Sequence, residues 1–373
     1  MAGKTVLITG GAGFIGSHVA DELLRSGYAV RALDSLVPQV HGGARPDYLS
    51  REVDLIVGDV RDAAAVRRAL EGVDAVFHFA AIVGVGQSMY QIEQYVDTNI
   101  RGTAVLLEAL AQAPVERLIV ASSMSIYGEG LYITPTGRRR SDCSRTLEQL
   151  RQGRWELFDS QGDGQALTPV PTDEAKTPAL NSVYAVNKYD QERMCLIVAQ
   201  AYGFEAVALR FFNTYGPRQA LSNPYTGVLA IFASRLLNGK APLIFEDGLQ
   251  QRDFVSIHDV ARASRLALES PRAAGMTFNI ASGRQYTVTE AAARMAEATG
   301  RPDIAPQITG QYRVGDVRHC FADISLATDV LGYRPQVALD QGLEELAQWL
   351  STQAAQDNVE AMRSELAQRG LTI

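Results

Sequence analysis

Cysteine is scarce in this chain. Its 373 residues hold three, Cys143, Cys195 and Cys320. They lie far apart and form no CxxC pair, so neither a disulfide framework nor a zinc site follows from them. Positive charge is also in short supply. The chain has 35 Lys and Arg against 42 Asp and Glu, a net charge of −7 with a pI near 5.4. That balance excludes nucleic-acid binding through a basic surface. Long apolar runs are missing too: no stretch reaches the roughly 18 residues that a membrane span needs. The opening "MAGKTVLITG" lacks the charged and apolar regions of a signal peptide. With 46% hydrophobic and 21% charged residues, the composition is globular, with room for one large domain or two. The expectation is a cytoplasmic enzyme with reduced thiols, using no metal, nucleic acid or membrane.

What is present is a rhythm. Short β-branched runs at 4–10, 29–34, 55–59, 75–80, 118–123 and 205–213 alternate with helical segments, the first at 14–27. Continuous apolar strands separated by helices predict an α/β fold with a doubly wound parallel sheet covered on both faces. After Gly216 the pattern shortens. Helices are expected at 228–239 and 287–300, strands at 243–248 and 251–257, as suits a smaller mixed α/β lobe. The predicted organisation is a first domain over 1–215 with a returning segment at about 252–270, a second lobe over 216–350, and a helical tail at 351–373. Helical character is read from about 341 to 369, with Glu344, Glu345, Glu360 and Glu365 on polar faces.

The string "TGGAGFIG" (9–16) sets Gly10, Gly13 and Gly16 three apart, directly after a strand and at the opening of a helix. Glycines there let the backbone turn tightly and approach a pyrophosphate at the helix N-terminus. Asp34 ends the second strand, where a carboxylate accepts the ribose hydroxyls of an adenosine and repels a 2′-phosphate. NAD is therefore expected over NADP. Asp59, in "GDVRD", ends the third strand, where an adenine amino group would lie.

Further along, "NSVYAVNKYDQE" (181–192) places Tyr184 and Lys188 four residues apart. On a helix capped by Asn181 or Ser182 they share one face. A lysine beside a tyrosine favours the phenolate and lowers the phenol's pKa, giving a base usable near neutral pH. Taken alone, such a pair is more commonly an ordinary surface pair.

Together with "FHFAA", "NIRGT", "SSMSIYGE", "RFFNTYGPRQ", "QRDFVSIHDVA" and "GDVRHCFADI", these strings run in the order found in the extended short-chain dehydrogenase/reductases. Over about residues 4–350, apart from an insertion at about 132–170, the chain resembles the NAD-dependent nucleotide-sugar epimerases of that group. The resemblance implies a Rossmann lobe for NAD and a C-terminal lobe for the sugar nucleotide. It also implies a homodimer built on helices near 95–112 and 184–202. It implies that Ser123, Tyr184 and Lys188 are catalytic, and that Ser123, Tyr184, Asn213, Arg252 and Arg313 touch substrate, the two arginines at the diphosphate. NAD contacts are implied for Gly10, Gly13, Phe14, Ile15, Gly16, Asp34, Asp59, Val60, Ala80, Ala81, Asn99 and Phe211, with Tyr184 and Lys188.

The residues after Ser123 separate the reactions of the group. A dehydratase of this kind carries an Asp-Glu pair there and a decarboxylase a Glu at the second position; this chain has Met124 and Ser125. Asp34 argues against an NADPH-dependent reductase. Oxidation at C4 and re-reduction on the opposite face, an epimerisation, is the reaction left. Within the epimerases, "SSMSIYGEG", a long insertion and "PVPTDE" are most similar to the dTDP-L-rhamnose 4-epimerase type, with UDP-hexose and UDP-uronate 4-epimerases left open. Non-catalytic NAD-binding proteins of this fold typically lose the tyrosine or lysine, which are both present here.

One segment breaks the rhythm. From about Tyr132 to Val170 the chain is rich in Arg, Gly, Asp, Ser and Pro, longer than an ordinary connection. Arg138, Arg139, Arg140, Arg145, Arg151 and Arg154 are nearly balanced by Asp142, Glu148, Glu156, Asp159 and Asp163. It is expected to be a surface loop, a partly ordered lid beside the ligand cleft, or a subunit contact.

Overall fold

Val6, Leu7 and Ile8 are all fully buried, because the strand Thr5–Thr9 sends alternate side chains into two separate cores. Val6 and Ile8 pack beneath the helices Phe14–Arg25 and Ile257–Glu269. Leu7 packs on the other face, with Ala63–Leu70, Gly102–Gln112 and Val183–Tyr202. Burying each such side chain contributes roughly 1.5–3 kcal/mol, which is why the strands read as continuous apolar runs. The computed structural model describes residues 3–159, 162, 164–219, 227–313, 315–353 and 365–372.

The central sheet has seven parallel strands, ordered 277–280, 205–211, 117–123, 75–78, 5–9, 29–34, 54–57. The chain first moves outward from 5–9 to 29–34 and 54–57, then crosses to 75–78 and continues the other way. Strand order thus reverses beside Thr5–Thr9, and the crevice at the carboxyl ends opens there. The expected α/β doubly wound fold is present. Chain that follows the first part of the second lobe returns to it: Ile257–Glu269 covers one face, and Thr277–Ile280 is the outer strand, beyond the returning segment read from the sequence.

The second lobe packs the helices Val228–Leu237, Val288–Ala298 and Leu339–Ser351 around Phe232, Leu236, Met295, Leu343, Leu346 and Leu350. Thr287 and Glu290 form a reciprocal capping box at the start of the second of these. Two strands expected here are broken up. Only Leu243–Ile244 of 243–248 is extended, because the chain turns at Glu246, which has a φ of +53°. The stretch 251–257 splits: Gln251–Arg252 pairs with Tyr286–Thr287 and His319–Cys320, whereas Phe254–Ser256 pairs with Asn213–Tyr215. Of the tail, Glu344 and Glu345 lie on Leu339–Ser351, Glu365 lies in a helical turn, and Glu360 lies outside the described residues.

The insertion is a small layer of its own. Leu131–Ile133 pairs antiparallel with Arg139–Arg140 and with Thr168–Val170. Tyr132, Leu157 and Leu167 are buried in it. Arg140 and Asp159 close it with two parallel hydrogen bonds of 3.0 Å, both side chains buried.

Candidate functional site

The carboxyl ends of the central strands deliver their next residues into one cleft of about 690 Å³. Gly10 follows the first strand with φ +71°. A Cβ on Gly10 would meet Ala80 N at 2.9 Å, and one on Gly16 would meet Gly10 O at 2.2 Å. Only glycine fits at either place, so the loop lies flat against the strand ends. The helix Phe14–Arg25 starts at Gly13 without any side-chain cap, leaving its first N–H groups directed at the cleft.

Asp34 is buried at the next strand end. One oxygen accepts Ala12 N–H at 3.0 Å and the other Leu36 N–H at 2.9 Å. Those bonds fix the carboxylate, and its remaining lone pairs suit two vicinal hydroxyls. Asp59 also lines the cleft, but its carboxylate is held by Arg61, with Nε–Oδ1 at 2.9 Å and Nη2–Oδ2 at 2.6 Å. That pairing with the Arg61 guanidinium lowers the pKa of the Asp59 carboxyl below its ordinary value. The cradle, the uncapped helix and the fixed carboxylate together fit the phosphates and adenosine ribose of NAD.

At the middle of the cleft, Ser182 rather than Asn181 caps the Val183–Tyr202 helix, accepting Ala185 N–H at 3.1 Å. Tyr184 and Lys188 then face the cleft. Ser123, the last residue of its strand, accepts from Ser125 twice, from its hydroxyl at 2.9 Å and its N–H at 3.1 Å. Both contacts use Ser123 Oγ as acceptor, which leaves its own proton for the Tyr184 phenol, whose pKa Ser123 lowers.

The electrostatics differ from the expected lowering of the phenol by Lys188. Burial pushes Tyr184 up to about 12, and only the Ser123 hydrogen bond works against it. Burial likewise lowers Lys188 to about 8, and its ammonium donates to Gln191 Oε1 at 2.7 Å. The reason is desolvation: each charged form loses more by leaving water than its neighbours return. Behind Lys188 a buried chain continues from Gln191 to Thr103 Oγ1 (2.8 Å), to His78 Nε2 (2.8 Å), and from His78 Nδ1 to Thr9 Oγ1 (2.8 Å).

The outer end of the cleft is polar. Asn213 donates to the Asp253 carbonyl at 2.9 Å. Arg252 donates to the carbonyls of Val317 (2.5 Å) and Arg318 (2.9 Å), and Arg313 Nη2 to Asp316 Oδ1 at 2.9 Å. All the catalytic, cofactor-binding and substrate-binding residues expected from the sequence line this cleft except Asn99. Asn99 is fully buried behind the wall, where its amide grips both the N–H and the carbonyl of Ile82 at 2.8 and 3.0 Å. Gln191, Ser125 and Ser88, whose hydroxyl accepts Tyr184 N–H at 3.1 Å, were not found from the sequence. Gln191 stands three residues after Lys188 and Ser125 two after Ser123, so spacing alone carries their signal.

No described residue of 131–170 lines the cleft, so the segment is not a basic flap over it. Four of its arginines are already engaged: Arg139 with Asp173, Arg140 with Asp159, Arg145 with Glu129 and Glu246, and Arg154 over the Phe158 ring. Among the described residues no group of His, Cys, Asp and Glu could hold a metal, and no helix is long and apolar enough to cross a membrane.

The sequence matches the model of the NAD dependent epimerase/dehydratase family over residues 6–148 and 161–281. It is 34% identical over 361 residues to a dTDP-L-rhamnose 4-epimerase of Burkholderia thailandensis, covering 95% of this chain and 97% of that protein. A UDP-glucose 4-epimerase of Thermotoga maritima, solved with UDP-glucose, superposes with a TM-score of 0.76 at 32% identity, covering 93% and 98% of the two chains. A UDP-glucuronic acid 4-epimerase of Bacillus cereus, solved with UDP-glucuronic acid and NAD, gives 0.76 at 28% identity, covering 93% and 99%.

Proposed function

Since the chain belongs to the NAD dependent epimerase/dehydratase family, we propose that it inverts C4 of a nucleotide-diphosphate sugar. The observation that carries this reading is the sequence of groups along the cleft. Ser123 and Tyr184 adjoin the glycine cradle, and Met124 and Ser125 stand where an elimination would need carboxylates. Tyr184 takes the C4 hydroxyl proton, with Ser123 orienting it. When bound beside these residues, NAD would supply a reversible hydride acceptor for C4, on either face of the 4-keto sugar, and a positive charge beside the phenol. That charge, with Lys188, favours the phenolate that burial alone opposes. Arg252, Arg313 and Asn213 hold the diphosphate while the sugar turns.

Sequence likeness to the Burkholderia enzyme favours dTDP-L-rhamnose as substrate; a UDP-hexose or UDP-uronate is the second reading, favoured by the solved relatives. The protein is proposed to work as a cytoplasmic homodimer. Ile197 and Val186, 55% and 38% exposed on one face of the Val183–Tyr202 helix, and Ile92 and Val96 nearby support the pairing surface. The free thiols suit a reducing compartment. The test is to record bound cofactor in the purified protein and to follow a panel of dTDP- and UDP-sugars by NMR. Interconversion of a C4 pair without added oxidant supports the proposal; bound NAD with no sugar nucleotide converted counts against it.

A further inference from the structure

The insertion reaches the diphosphate end of the cleft from behind, through one side chain. Arg145 is almost wholly buried, with its side chain 2% exposed. Its Nε donates to Glu129 Oε1 at 3.2 Å, its Nη1 to Glu246 Oε1 at 2.7 Å, and its Nη2 to the Asp316 carbonyl at 3.2 Å. The guanidinium also lies 5.4 Å from the centre of the Tyr312 ring. A planar fork is the side chain suited to tie three such partners at fixed angles.

Those partners lead to the cleft. Asp316 pairs with Arg313, and the next two carbonyls, of Val317 and Arg318, are the ones that hold Arg252. Glu246 adopts φ +53°, unusual for a residue with a side chain, and follows Phe245, over whose ring Arg313 sits at 5.7 Å. Arg318, with no exposed surface, anchors the same turn from the other side, donating to Glu246 (2.9 Å), Asp247 (2.6 Å) and Glu156 of the insertion (3.0 Å).

We propose that Arg145 is a positioning residue for nucleotide binding: it fixes Asp316–Arg318 and the Phe245–Asp247 turn, and through them the directions of Arg252 and Arg313. The inference rests on the reading that these two arginines grip the diphosphate. It makes the insertion a strut that sets substrate affinity and takes no part in the hydride or proton steps. Substitution is a cleaner probe than deletion, because removing 132–170 would strand Arg318 and Glu246 as buried charges with fewer partners.

The experiment uses the full chain with saturating NAD and compares Arg145→Met and Arg145→Lys with the parent. UDP and dTDP are the calorimetric probes, and the sugar nucleotide identified by NMR is the kinetic one. Misaiming a binding arginine should weaken diphosphate binding and raise KM by about tenfold or more, with kcat within about threefold and NAD affinity unchanged. Arg145→Lys, which keeps the charge but not the fork, should fall between. Combined with Arg252→Ala, the Arg145→Met loss should be smaller than the product of the two single losses. A folded Arg145→Met binding UDP and dTDP within twofold of the parent overturns the inference. So does a loss shared equally by NAD affinity and melting temperature, which a merely structural role would give. Should Arg145→Met not fold, Arg145→Lys and Glu156→Gln decide by the same KM criterion. If Arg252→Ala and Arg313→Ala themselves leave UDP and dTDP affinity unchanged, the diphosphate reading fails and the inference falls with it.

Discussion

The Lys188 ammonium lies 2.7 Å from Gln191 Oε1, less than one turn further along its own helix. The lysine is therefore held by a buried amide that is itself anchored to Thr103 and, through it, to His78. A buried ammonium without that acceptor would be costly. Gln191→Leu should accordingly cost stability on the order of 1–3 kcal/mol, and turnover should fall with it. Chemical denaturation and initial rates check both; an unchanged midpoint would show that the contact contributes nothing.

Tyr184→Phe should reduce epimerisation by about 10³-fold or more while the ring keeps its packing. NAD binding and melting temperature should stay near those of the parent. Turnover within a few-fold of the parent would rule out the phenol as base.

Asp34→Ala removes the acceptor for Ala12 N–H and Leu36 N–H as well as the proposed ribose partner. The preference for NAD over NADP should narrow by about tenfold or more, some 1.4 kcal/mol. Titration of both cofactors into parent and variant measures it, and a parent that prefers NADP would refute the assignment.

Two buried histidines should make the protein acid-sensitive. Burial lowers His18 and His78 to about 3, from 6.5. With native values depressed, the unfolded chain binds protons first. Their contribution is complete above pH 6.5 and is lost as pH falls from 6.5 toward 3. His78→Asn should flatten the stability curve in that window by at most about 1.4 kcal/mol per pH unit. Urea midpoints at pH 4.5, 5.5, 6.5 and 7.5 give the slopes; identical slopes in parent and variant would mean that His78 does not carry the effect.

Ile197→Glu places a charge on the exposed apolar face of the Val183–Tyr202 helix. Sedimentation should find the parent dimeric and this variant monomeric with its fold intact. A parent that sediments as a monomer at micromolar concentration removes the case for a homodimer.

The parallel sheet was legible because strands buried on both faces read as unbroken apolar runs, and the Gly10–Gly16 loop because its spacing follows from backbone sterics. The Tyr184–Lys188 pair was legible as a helix face, although the sign of the phenol's shift was not, since burial depends on what the fold stacks above it. Contacts between distant segments left no local trace. Glu192 binds Arg210 and Ser122, Arg210 reaches Tyr127, and Tyr127 reaches Asn279; none of these shows in spacing. Arg145 is the clearest case. In the sequence it is one of six arginines in a polar stretch, and only the fold shows which of them meets Glu129 and Glu246.

The outer strand Thr277–Ile280 has a consequence for how the chain comes off the ribosome. Until it arrives, Glu205–Phe211 presents a bare row of backbone donors and acceptors. Asn279 is also the residue that bonds Tyr127 and the carbonyls of Thr172 and Asp323, so those groups wait for it too. The nascent protein must therefore hold an unfinished, adhesive sheet through the synthesis of some seventy further residues, a window in which chaperones and neighbouring chains compete for it. A fragment cut at residue 215 should aggregate for the same reason; a soluble, monomeric 1–215 would show that the edge protects itself.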